Sequence, residues 1–158
     1  MDALKRLLAH PLLAFVFRVY VGGVFVYASM YKIIYAGEFA DTIAGYQILP
    51  YWLVGLAAVA LPWVELISGA LLMLGVRSKS AAAAVGVMLV VFMVAIAVNL
   101  VRGTPIGCGC FHSAEEEMSW VTLVRDMVWL LMTVHVYFFD RKWQLESNFS
   151  LRFKEAGQ

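Results

Sequence analysis

"YWLVGLAAVALPWVELISGALLMLG" (residues 51–75) carries a single charged side chain, Glu65, in 25 positions. A helix needs about 20 mainly apolar residues to cross a bilayer, so this stretch qualifies by itself. Three others match it, at about 11–35, 80–101 and 119–139. Together they use most of a chain of 158 residues that is 63% hydrophobic and 15% charged. Soluble domains are nearer about 45–50% apolar and about 25% charged. The expectation is therefore an all-α protein, an integral membrane four-helix bundle in a single domain over 1–158. A loop is expected over 102–118 and a tail over 140–158. The first stretch follows Lys5 and Arg6, as a cleaved signal peptide would. It is too long for that, contains Arg18 and Lys32, and lacks a small-residue cleavage site.

Basic residues outside the spans are unevenly placed. Lys5, Arg6, Arg77, Lys79, Arg141, Lys142, Arg152 and Lys154 fall on one side, whereas Glu38, Asp41 and Glu115 to Glu117 fall on the other, with Arg102. Positively charged loops stay in the cytoplasm. Both termini are expected there, in a bacterial inner membrane, with the segment between the third and fourth spans facing the periplasm. Tyr46, Tyr51, Trp52 and Trp120 would ring the outer interface and Trp143 the inner one. A net charge of +1, with no basic cluster interleaved with aromatics, points to lipid rather than nucleic acid as partner.

Small residues mark where helices touch in lipid. Gly22, Gly23, Gly55, Ser68, Gly69, Ala82 and Gly86 are read this way. The charges inside the spans are more informative, since ionised groups there are costly. Glu65 follows the helix-disturbing Pro62 by one turn, and depth along the helices suggests Arg18 as its partner. By the same arithmetic Lys32 is matched with Asp126, beside Arg125. One reading makes these ions clamps that set helix register. Another makes them a polar pocket, open from the outer side, that holds a quinone head group or relays protons.

The only two cysteines lie in "NLVRGTPIGCGCFHS" (residues 99–113). Gly109 between Cys108 and Cys110 permits the dihedrals that a bridge would need. A bridge closing one residue adds almost nothing to stability by loop entropy, so a structural staple is the weakest explanation. Ser113 and Glu116 read as a capping box, placing the pair ahead of a helix N-terminus that favours a thiolate. A redox couple, a soft-metal clip with His112, and two small turn residues all remain open. The redox couple suits an oxidising compartment best.

Five stretches together resemble the MauE/DoxX family of redox-associated membrane proteins, on its MauE branch. They are "FRVYVGGVFVYASMYKI" (17–33), "FADTIAGYQILP" (39–50), "LPWVELISGALLMLG" (61–75), and "GCGCF" (107–111) with "LVRDMVWLL" (123–131). The family's cysteine motif usually continues with glycine, where this chain has His112. The resemblance implies a four-helix membrane protein acting on disulfides at the outer face. In methylamine utilisation such proteins work beside a periplasmic thioredoxin-like protein to mature a disulfide-rich dehydrogenase subunit. The function expected here is thiol–disulfide exchange, an oxidoreductase activity. Cys108 and Cys110 would be catalytic, Gly109 and His112 modulating, and no metal is assigned. Quinone is the expected electron acceptor or donor, near Arg18, Lys32, Glu65, Arg125 and Asp126. An accessory or assembly subunit of a larger membrane complex, and a small-molecule or metal transporter, are the alternatives.

Overall fold

The computed structural model describes residues 11–103 and 120–139. Five helices follow in order: α1 (Pro11–Ile34), α2 (Ala36–Gly45), α3 (Tyr51–Leu74), α4 (Ser78–Arg102) and α5 (Trp120–Phe139). Among the described residues there is no strand. All but α2 are long and apolar enough to cross a membrane. Their bounds fall within two residues of the expected spans, and α3 runs on through Pro62.

The burial pattern is that of a membrane protein. Arg18, Ser29, Lys32, Glu65, Ser68, Asn99, Thr122, Asp126 and Thr133 are buried, while Leu56, Trp63, Val64, Ile67, Val87 and Leu131 are exposed. A soluble bundle would reverse this, because large apolar surfaces facing water are rare. In lipid the apolar faces have a matching solvent and the polar groups must find partners inside. Several do so on their own helix. The Ser68 hydroxyl donates to the Val64 carbonyl at 2.7 Å, Ser29 to Val26 at 2.8 Å and Thr133 to Trp129 at 2.8 Å.

α1 and α3 cross at two glycines. A Cβ on Gly22 would lie 2.8 Å from the Gly69 carbonyl oxygen, and one on Gly69 would lie 2.9 Å from the Phe25 Cβ. Backbones can approach this closely only where side chains are missing, which is how small residues drive helix association in lipid. The expectation for these two positions holds. It fails for Gly23 and Gly55, around which nothing among the described residues lies within 4 Å of the added carbon, so both face away from the described neighbouring helices. Val21, Phe25, Leu72, Ala82, Val85, Leu89 and Val136 fill the adjoining core.

α3 ends in a Schellman turn. The Gly75 N–H donates to the Leu72 carbonyl at 3.2 Å and the Val76 N–H to Leu71 at 3.1 Å, with Gly75 at φ +73°. The Arg18 guanidinium covers this turn, and a Cβ on Gly75 would sit 2.6 Å from Arg18 Nη1. Gly75→Ala is expected to lower stability by about 1–2 kcal/mol, the usual cost of forcing an L-residue into the left-handed region. Thermal unfolding in detergent checks this, and an unchanged transition would mean that Gly75 does not hold the left-handed conformation.

The main departure from the expected architecture is α2, in a stretch read from sequence as loop. It buries Phe39 and Ile43, and Tyr46 follows on the same stripe. Phe39 and Ile43 pack on Val54 and Ala58 of α3. Tyr31 donates from its hydroxyl to the Glu38 carboxylate at 3.2 Å, holding α2 to the end of α1. Tyr46 is therefore interior, whereas Tyr51, Trp52 and Trp120 are strongly exposed. The aromatic ring expected at that interface loses one member.

Candidate functional site

Lys32 of α1, Glu65 of α3 and Asp126 of α5 meet inside the bundle. Lys32 Nζ donates to both carboxylate oxygens of Glu65, at 2.8 and 3.0 Å. The geometry follows from helix direction. Side chains lean toward the N-terminus of their own helix, and α1 and α3 are antiparallel. Lys32 thus leans down the bundle and Glu65 leans up to meet it. The two side chains are 4% and 2% exposed. An ion pair this dry holds only when both charges are well engaged.

Of the two expected pairs, Arg18 with Glu65 is not formed. Arg18 lies against Gly75 at the far end of α3, and Glu65 takes Lys32 instead. Counting depth from level helix ends misplaced both, because the Gly22–Gly69 crossing sets the actual offset. Lys32 and Asp126 do share a site. Both line a cavity of about 30 Å³ together with Glu65, Phe92 and Trp129. Asp126 lies in the field of both Arg125 and Lys32. Arg125 Nε stands 3.7 Å from Asp126 Oδ1, and the guanidinium carbon lies 5.0 Å over the Trp129 ring. Two cations and two carboxylates give the site a formal charge of zero.

Two aromatics missed in the sequence complete the cage. Lys32 Nζ is 4.6 Å from the Phe92 ring centre and 5.0 Å from that of Phe39, within cation–π range. Phe39 was legible as part of the apolar stripe of α2. Phe92 had no signal among the apolar neighbours of its span. Beyond Lys32 lies a second cavity, of about 160 Å³, walled by Phe39, Ile43, Tyr46, Leu61, Phe92 and Ala95. Lys32 is thus the partition between a small polar chamber and a larger apolar one. The small chamber has room for a water or two, since one water needs about 10–15 Å³.

Cys108, Gly109, Cys110 and His112 lie outside the described residues. The residues that flank their segment are informative. Arg102 closes α4, and its Nη1 donates to the Tyr46 carbonyl of α2 at 3.3 Å. The segment thus leaves the helices beside α2, at the end of the bundle nearest Lys32.

The family model described as methylamine utilisation protein MauE matches residues 10–139. The chain belongs to the MauE family. Among the relatives are the methylamine utilization proteins MauE of Paracoccus denitrificans and Methylorubrum extorquens. The first is 31% identical over 123 residues, covering 77% of this chain and 66% of the relative. The second is 32% identical over 125 residues, covering 78% and 67%. A third, from Paracoccus versutus, is 32% identical over 133 residues, covering 83% and 72%. The chain therefore spans about two thirds of the length of the MauE relatives it matches. No solved structure matches it. The MauE match takes in every membrane-capable helix, the buried charges and both cysteines. The protein is a multi-pass membrane protein of this family.

Proposed function

We propose that the protein carries out thiol–disulfide exchange at the periplasmic face of the inner membrane, within methylamine utilisation. The observation that carries this reading is the pair Cys108 and Cys110, the chain's only cysteines, on the segment joining α4 to α5. Both termini lie in the cytoplasm, following the distribution of basic residues. The partner is a periplasmic thioredoxin-like protein.

One cysteine thiolate attacks the partner's disulfide, forming a mixed disulfide and expelling one partner thiolate. The second cysteine attacks the mixed disulfide, which forms the Cys108–Cys110 bond and releases the other partner thiolate. Two electrons pass to the partner, and the reverse sequence oxidises it. After the first direction the Cys108–Cys110 disulfide is reset by a reductant, a membrane quinol or a reduced dithiol protein; after the reverse, the dithiol passes its two electrons and two protons to a quinone or to the disulfide of a second soluble protein. Buried Lys32 and Asp126 lie toward the ends of α1 and α5 that adjoin the α2 side of the bundle, from which α4 gives way to that segment.

Cys108→Ser with Cys110→Ser is expected to abolish exchange with the partner, read as the partner's free-thiol content in membranes. Each single variant should instead trap a mixed disulfide or leave the other cysteine unresolved. Unchanged exchange in the double variant would leave an accessory or assembly role.

A further inference from the structure

The larger cavity has the dimensions and chemistry of a binding site. An apolar cavity of about 150 Å³ takes one benzene ring, and this one measures about 160 Å³. Its walls are aliphatic and aromatic except at one point, where Lys32 closes the inner end. Lys32 is 3% exposed. An ammonium has three N–H donors, and the two contacts to Glu65 engage at most two of them. Phe39 and Phe92 flank the ammonium and offer flat faces against which a ring can lie. Ile48, Leu49 and Val91 also line the cavity and are exposed on the surface of the bundle, so it has a mouth.

We infer that this cavity binds the head group of a membrane-soluble, single-ring carbonyl compound, a quinone, whose carbonyl oxygen accepts a hydrogen bond from Lys32. Its tail leaves between Ile48 and Val91. A lipid acyl chain fits the space less well because it has no polar atom to set against the ammonium that closes the inner end. A polar metabolite fits less well because the remaining walls are apolar. The quinone's role in resetting the cysteines rests on the exchange reading, but its binding does not. Beyond Lys32, the walls of the site come from α2, the turn that follows it, Leu61 of α3, and α4.

The test is calorimetric titration of the full-length chain in lipid nanodiscs with a benzoquinone bearing one isoprenoid unit. Cys108→Ser with Cys110→Ser is the background throughout, so that no thiol adds to the probe and the result is independent of exchange. One molecule should bind per chain. Ala95→Phe and Ile43→Trp, which fill the cavity from α4 and α2, should each weaken binding by at least about tenfold. Gly23→Ala, at a position that lines neither cavity, should bind as the background does. The inference is overturned by an absence of saturable binding. It is equally overturned by undiminished affinity in whichever filled variant keeps its thermal transition, or by a retained phospholipid that the benzoquinone does not displace. Binding here combined with full exchange activity in the cysteine-free chain would retain the site and remove the exchange reading. The opposite pair of results would do the reverse.

Discussion

Replacing Lys32 with methionine is expected to destabilise the protein by about 3–5 kcal/mol, the range for removing one partner of a buried ion pair. The loss should exceed that from Glu65→Gln or Asp126→Asn. Lys32 donates to Glu65 at 2.8 and 3.0 Å and shares a cavity with Asp126. Without Lys32, two carboxylates face each other in a dry interior with Arg125 alone to offset them. Removing Glu65 is milder, because Asp126 remains near the ammonium and can take over part of its coordination. Reversible unfolding by steric trapping in bilayers would measure the difference. The paired variant Lys32→Met with Glu65→Leu should be more stable than Lys32→Met alone, since it removes one uncompensated carboxylate. Equal losses in all three single variants would mean that the ions do not act as one unit.

The second large effect is expected at Gly22. A valine there would place its Cβ 2.8 Å from the Gly69 carbonyl oxygen and 2.9 Å from the Met73 amide nitrogen. Both are backbone atoms, so no side-chain rotation relieves the clash and the helices must part. Overpacking of a fixed contact costs about 1–3 kcal/mol, occasionally more, and the upper end applies here. The neighbouring Gly23→Ala provides the control. Nothing lies within 4 Å of the added carbon at that position, and alanine improves helix propensity by about 1 kcal/mol. Thermal unfolding of the two variants should therefore move in opposite directions. A similar loss in both would argue against the α1–α3 crossing.

Why the sequence told these two glycines apart so poorly is a matter of phase. Adjacent residues on a helix point about 100° apart, and in a span that is apolar all round nothing marks which face is inward. The spans themselves were legible, because length and apolarity suffice to identify them. The polar residues Arg18, Lys32, Glu65 and Asp126 were correctly read as interior, since lipid leaves them no other place. Their pairing was not legible. It depends on an axial offset between α1 and α3 that is set by the Gly22–Gly69 contact, not by where each span begins. α2 was missed for a different reason. Its charged residues Glu38 and Asp41 suggested a loop, although Phe39, Ile43 and Tyr46 recur at helical spacing. That stripe was available and would have predicted both the helix and one wall of the larger cavity.

The hydrogen bond from Arg102 to the Tyr46 carbonyl has a mechanical consequence. Arg102 is the last residue of α4, and Tyr46 follows the last residue of α2. A pull on the chain beyond Gly103 is therefore borne partly by the short helix that roofs the cavity. At 3.3 Å the tether is modest, worth about 1.5–3 kcal/mol as a bond from a charged donor. The exit of α4 and the roof of the cavity are thus joined through an exposed arginine.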